Sequence, residues 1–268
     1  MAAPSRERIN EDGVRKATNA LLKWKKKSLL SHSHDGNAAN EEEADDFIYL
    51  SVTLKKVPPR NLSAAPHQIL LRRSLLSQDY TASNICLIVD GKRITAESAQ
   101  KILLAKGIPF VKKVFKLGKL KSDYDSFESK KKLFDSFDLF LADKSVEAVL
   151  PKVLGRVFYK KRKKIPVAVD LRGDWKEELE RACRSSLWCL SGGTCSSVRV
   201  GRLGEMESGE IVENVLDAVD GVVGILPRKW GGIRCLHLKL SDSLALPIYE
   251  DEVSVSDGKL GSSLVKRK

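Results

Sequence analysis

With 268 residues, 42% of them hydrophobic, and a formal charge of +12, the chain is long enough for two modest packed domains and too apolar for wholesale disorder. No stretch approaches the roughly 20 uninterrupted apolar residues of a membrane-spanning helix, and the polar segment Met1 to Asn10 lacks the apolar run of a secretory signal. The expectation is therefore a cytosolic or nuclear protein with no membrane partner. Its five cysteines (Cys86, Cys183, Cys189, Cys195 and Cys235) are odd in number, scattered and without a C-x-x-C pair, which disfavours a zinc site or a redox motif.

Residues from about Asn10 to Lys27 read as an amphipathic helix, with Val14, Ala17, Leu21, Leu22 and Trp24 at near-helical spacing. The segment Ser31 to Asp46 turns polar and acidic, as an exposed loop does. Phe47 to Leu54 is rich in β-branched and aromatic residues and predicts a strand, closed by Lys55, Lys56 and two prolines. Beyond Leu76 the pattern changes. Ile85 to Val89 is a continuous apolar run, as in a strand buried on both faces. A helix is expected over Thr95 to Lys106, with Thr95 as N-cap and Gly107 as stop. Strands are then expected at Phe110 to Lys116, Asp138 to Ala142 and Pro166 to Leu171, and helices at Phe127 to Phe137 and Ser145 to Leu154. Strands alternating with helices of about ten residues predict a three-layer, Rossmann-like α/β domain with a largely parallel sheet.

From Asp174 the character shifts again, with a helix expected over Trp175 to Ser186 and a strand over Thr194 to Leu203. An amphipathic helix over Glu210 to Val223 and a half-buried strand over Ile233 to Leu240 complete the pattern. These late elements need partners, and the strand at Phe47 to Leu54 is left without a sheet by the intervening module. The predicted fold class is therefore α/β overall: an α+β discontinuous domain with a three-layer α/β domain inserted in it. The expected boundaries are 10–80 and 173–250 for the first, 81–172 for the second, and 251–268 as a flexible, basic-ended tail. Charge follows this division. Between Asn84 and Arg172 there are 21 Lys/Arg against 10 Asp/Glu, so one contiguous third of the sequence carries nearly all of the excess. Such asymmetry is the footprint of a polyanion-binding module.

The ordering resembles the ribosomal protein L1 family. The strand ending in Lys55-Lys56 looks like the family's first strand, and Pro66-His67-Gln68-Ile69 sits where members carry a Leu-Pro-His-like segment. Glu213-Asn214-Val215 resembles the family's Glu/Asp-Asn-Ile helix, and Gly231-Gly232-Ile233-Arg234 with His237 to Ser241 its last strand. The resemblance covers about Asn10 to Glu250. It implies a two-domain L1-like fold that binds helical RNA mainly through the discontinuous domain. Where ribosomal members carry Thr-Met-Gly, this chain has Ser243-Leu244-Ala245, with Asp242 beside it. Ser243 keeps a hydroxyl, but Ala245 lacks the close approach and positive φ open to glycine. These departures resemble the divergent nucleolar branch, the ribosomal L1 domain-containing proteins, which are pre-ribosome assembly factors.

The resemblance implies RNA contact by Lys55, Lys56, Lys239, Ser241, Ser243, Leu244 and Ala245. The basic run Lys160, Lys161, Arg162, Lys163 and Lys164 adds a second candidate grip on phosphates, with Tyr159 able to stack on a base. The expected partners are structured rRNA or pre-rRNA and proteins of the pre-ribosomal particle. The expected location is the nucleolus or nucleus, and the expected state a monomer within a ribonucleoprotein particle. No catalytic, metal or cofactor site is expected. His32 and His34 have no second pair at ligand spacing, no Gly-x-Gly-x-x-Gly or Walker pattern follows the first inserted strand, and Asp138, Asp143 and Asp170 suit strand ends and caps. The competing readings are a protein-interaction adaptor that keeps the fold without conventional RNA binding, a structural protein of the large subunit, and an α/β enzyme using the strand-end carboxylates.

Overall fold

The computed structural model describes residues 8–32, 46–76, 83–160 and 164–251. The chain divides at Ala65/Pro66 and at Cys189/Leu190 into two compact units, the second interrupting the first.

In the discontinuous unit, helix α1 (Glu11–His32) runs beyond the expected stretch, and strand β1 (Phe47–Leu54) occupies the expected residues. A short helix, α2 (Arg60–Ser63), follows. After the inserted unit come β8 (Cys195–Arg202), α9 (Ser208–Ile225), β9 (Ile233–Lys239) and β10 (Leu246–Glu250). They form one antiparallel sheet in the order β10-β9-β1-β8, so β1 lies between two strands that follow it far along the chain. The alternation of β1 turns Ile48, Leu50, Val52 and Leu54 inward, where they are buried with Val198, Val200, Leu236 and Leu238. Apolar stripes cover that face: Val14, Ala17 and Leu21 from α1, and Ile211, Val215, Val219 and Val222 among others from α9. α9 starts with a capping box between Glu207 and Glu210.

The inserted unit holds β2 (His67–Leu70), β3 (Ile85–Val89), α3 (Ala96–Ala105), β4 (Val111–Lys116), α4 (Leu117–Asp123), α5 (Phe127–Ser136) and β5 (Leu139–Asp143). It ends with α6 (Leu150–Leu154), α7 (Arg156–Tyr159), β6 (Val167–Val169), α8 (Trp175–Cys183) and β7 (Ser185–Trp188). Its main sheet is parallel, ordered β4-β3-β5-β6. All five residues of β3 are buried, because one core packs on each face. Ile85, Leu87 and Val89 join Leu103 and Leu179 on one side, while Cys86 and Ile88 join Leu133, Phe140 and Phe158 on the other. The mixed α/β fold is the expected one.

Several local readings differ, among them the helix expected to reach Ser186, which ends at Cys183 before β7. The inserted unit is wider than 81–172, because β2 and β7 pair antiparallel from His67↔Trp188 to Leu70↔Ser185 and α8 buries Trp175, Leu179, Ala182 and Cys183 in the inserted core. Helix starts only at Leu150 rather than Ser145. The Asp143 carboxylate accepts from the Ser145 hydroxyl at 2.6 Å, and turn-type bonds follow from Val146 N to Asp143 O and from Val149 N to Val146 O. Finally, Leu246–Glu250 forms an edge strand, so Ser241 to Ala245 is the loop of a β9–β10 hairpin. The expected tail, 251–268, lies outside the described residues from residue 252 on.

Candidate nucleic-acid interface

The face of the four-stranded sheet opposite α1 and α9 is lined by the other half of each alternation. Strand register sets out its rows. Lys239, Tyr49 and Arg199 stand side by side, then His237, Ser51 and Ser197, then Cys235, Thr53 and Cys195. These side chains are half-buried or exposed. The arrangement is an aromatic and basic end grading into a row of hydroxyls and thiols.

A bulge sharpens the basic end. Phe47 pairs with Arg202 and Ile48 with Gly201, but Tyr49 pairs with Arg199, so Val200 is an extra residue. Both Val200 and Gly201 point inward, and Arg199 and Arg202, three residues apart, both point outward. Their guanidinium carbons lie 4.6 and 5.8 Å from the centroid of the Phe47 ring, within cation–π range. Arg202 also pairs with Glu205 at 3.1 Å. From below, the fully buried Asn214 donates its side-chain amide to Val200 O at 3.0 Å. α9 packs so close that a Cβ on Gly201 would lie 2.9 Å from Ile211 Cγ1.

The loop Ser241 to Ala245 follows Lys239 and so borders this same end. Ser243 is not simply presented to solvent: its hydroxyl accepts from Leu240 N and donates to Leu244 O, both at 2.9 Å, which closes the turn and leaves one lone pair. Leu244, by contrast, is 85% exposed, and Ser241, Asp242 and Ala245 are exposed beside it. Lys55 and Lys56 do not join this group. They follow the last residue of β1, and eight residues at about 3.3 Å each put them ~25 Å along the sheet from the Phe47 end. Lys55 is moreover engaged in an ion pair with Asp251.

In the inserted unit the basic run is also divided. Lys160 is exposed at the end of α7, and Lys161, Arg162 and Lys163 lie outside the described residues. Lys164 is not a free grip. Its ammonium donates to Phe134 O at 3.0 Å and Phe137 O at 2.9 Å, and lies 4.8 Å from the Phe134 ring centroid. Tyr159 packs against the core around Phe158 rather than offering its ring, and burial pushes its phenol up to about 12. Exposed lysines stand instead on the edge strand β4 (Lys112, Lys113, Lys116) and on α4 (Lys119, Lys121).

The strand-end carboxylates serve local structure. Asp138 accepts from Asn84 N at 2.8 Å, Asp143 from Ser145, and Asp170 from Arg172 N at 3.1 Å while pairing with Lys144 at 3.6 Å. The bond from Arg172 N, with Lys144 nearby, holds Asp170 below the usual carboxylate range. Gly91 has a φ of 80°, and the Lys116 stem fills the space over it that a Cβ would need. Burial pushes the thiol of Cys183 up to about 12 and that of Cys86 still further. Among the described residues no His, Cys, Asp or Glu cluster could hold a metal ion, and no helix is long and apolar enough to cross a membrane. His34 and the side chain of His32 lie outside the described set.

An antiparallel sheet backed by two helices and interrupted by a parallel α/β unit, with arginines and aromatics on the sheet's open face, defines a class of two-unit α/β proteins. The chain belongs to the ribosomal protein L1p/L10e family, whose sequence pattern matches residues 23–244. It is 30% identical over 255 residues to ribosomal L1 domain-containing protein 1 of Mus musculus, covering 93% of this chain and 53% of that protein. It is 31% identical over 250 residues to a putative ribosome biogenesis protein of Schizosaccharomyces pombe, covering 89% and 65%. Large ribosomal subunit protein uL1y of Arabidopsis thaliana is 30% identical over 156 residues, only 58% of this chain. The chain therefore aligns along most of its length with the divergent L1-domain branch bearing ribosome-biogenesis names, and over a shorter stretch with the ribosomal protein. It spans about half the length of the mouse relative and just under two thirds of the fission-yeast one.

Proposed function

We propose that this chain is a non-catalytic RNA-binding protein of large-subunit ribosome assembly. It engages structured rRNA or pre-rRNA through the open face of the β10-β9-β1-β8 sheet, and it works as a monomer among pre-ribosomal proteins in the nucleolus. The observation that carries this reading is the bulge that turns Arg199 and Arg202 onto Phe47, beside the Ser241 to Ala245 loop. Guanidiniums stacked on an aromatic ring offer planar donors to phosphates and a platform for a splayed base. The family membership and the ribosome-biogenesis names of several relatives support the setting.

Mobility shifts with structured pre-rRNA segments over a salt series test it. Phe47→Ala and Arg199→Ala should each weaken binding roughly tenfold, in line with one stacking or charge-assisted contact. Wild-type protein whose affinity is absent, or does not vary with salt, would refute the reading. A second reading, an adaptor that binds protein instead, is favoured by Asp46, Glu205 and Asp242, which crowd the same end of the sheet. It predicts pre-ribosomal partners that remain bound after nuclease treatment and after both substitutions.

A further inference from the structure

The end of the sheet away from Phe47 carries its own cationic patch, built by two backbone irregularities. The first is a register slip in the β1–β9 pair: Thr53 faces Cys235 and Leu54 faces Ile233, so Arg234 is an extra residue and stands exposed. The second is the turn between α9 and β9. There Lys229 has a φ of 47°, the one described non-glycine residue in the left-handed region. Glycine would adopt that conformation without penalty, and Gly231 and Gly232 stand two and three residues on. The turn is held by Lys229 N donating to Leu226 O and Gly231 N to Arg228 O, both at 3.0 Å, and by Trp230 packed on Tyr249 at 4.9 Å. Lys55 N donates to Gly232 O at 2.9 Å, which brings the end of β1 alongside.

Lys56, Arg228, Lys229 and Arg234 are all exposed there and form no salt bridge among the described residues; of the acids alongside, Asp251 pairs with Lys55 and Glu250 lies 3.9 Å from His237. At the Phe47 end, by contrast, the exposed acids Asp46, Glu205 and Asp242 stand in the same stretches as Arg199, Arg202 and Lys239, and Glu205 pairs with Arg202. Cations at the C-terminus of α9 favour the helix dipole, which is reason enough for Arg228 and Lys229 but not for Lys56 and Arg234, which come from other elements. Counterion release rewards uncompensated cations.

We propose that Lys56, Arg228, Lys229 and Arg234 form a second phosphate-contact site, and that it supplies much of the salt-dependent affinity while the Phe47 end orients the RNA. This site rests on the reading of the chain as an RNA-binding protein. The test replaces all four residues with Gln in the full chain and follows binding to a structured pre-rRNA hairpin between roughly 50 and 200 mM salt. The slope of log K against log salt should become shallower by about 3 to 4, because each duplex phosphate contact contributes about 0.9. If the fourfold variant does not fold, Arg228→Gln and Arg234→Gln should each reduce the slope by about 1. An unchanged slope and affinity in a folded variant, with wild type binding normally, overturns the second site and leaves the RNA reading intact. So does loss of a nuclease-resistant protein partner with the RNA slope unchanged, which would assign the patch to an acidic protein. Failure of the wild type to bind any structured pre-rRNA defeats the RNA reading itself.

Discussion

Asn214 is fully buried on α9, and the amide it offers to Val200 O accounts for an asparagine in an otherwise apolar stripe. A bulge carbonyl lacks its ladder partner, and a buried acceptor left unsatisfied costs about 1–3 kcal/mol. Asn214→Leu should therefore destabilise the chain by about that amount in denaturant titrations, and Asn214→Asp should cost more, because it sets a carboxylate against a carbonyl. Both should weaken RNA binding beyond the loss of folded protein, because Arg199 and Arg202 would no longer share Phe47. Normal affinity per folded molecule would sink that link. The pair of arginines was not legible from the sequence, since strict alternation puts residues three apart on opposite faces. What places them together is the close packing of Gly201 under Ile211 and the amide of Asn214, contacts between the strand and the helix that follows it, which the alternation of the strand alone does not show. Ser243 and Leu244 were legible only through family resemblance, and their division of labour, one closing the turn and the other exposed, needed the hairpin.

At the scale of elements, the boundaries read best from sequence are those set by local chemistry. Thr95 accepts from Ser98 N at 3.2 Å at the start of α3, and Gly107 with its φ of 65° follows its end. β2 and β7 gave no such signal, being four residues each and made strands only by one another. Lys164 shows the reverse case. In sequence it is one cation in a run, yet its partners are the carbonyls of Phe134 and Phe137 at the C-terminal end of α5, where a cation also suits the dipole. Lys164→Met should lower the melting temperature of the protein by several degrees, as expected for about 1–3 kcal/mol, and leave RNA affinity per folded molecule unchanged. Lys160→Met should leave the melting temperature alone and reduce affinity slightly. A reversal of these two outcomes would return Lys164 to the RNA surface.

For the whole molecule, the charge partition that the sequence showed persists under the observed boundaries. Pro66 to Cys189 carries 26 Lys/Arg and 15 Asp/Glu, against 21 and 20 in the rest. The recognition geometry argued above lies in the unit with almost no excess charge, whereas the excess lies in the inserted unit. Exposed lysines on an edge strand have a plain structural role, because they discourage pairing with other chains, and that suffices for Lys112. It does not extend to Lys119 and Lys121 on the helix that follows. Nearby cations that contact phosphate without reading bases raise affinity for every structured RNA alike. Lys119→Gln and Lys121→Gln together should therefore make the salt slope shallower by about 2 while leaving the ranking of competing RNAs unchanged. Phe47→Ala should do the reverse, flattening the ranking while changing the slope little. If the lysine variant alters the ranking instead, discrimination resides in the inserted unit, and the open sheet face is the lesser of the two contacts.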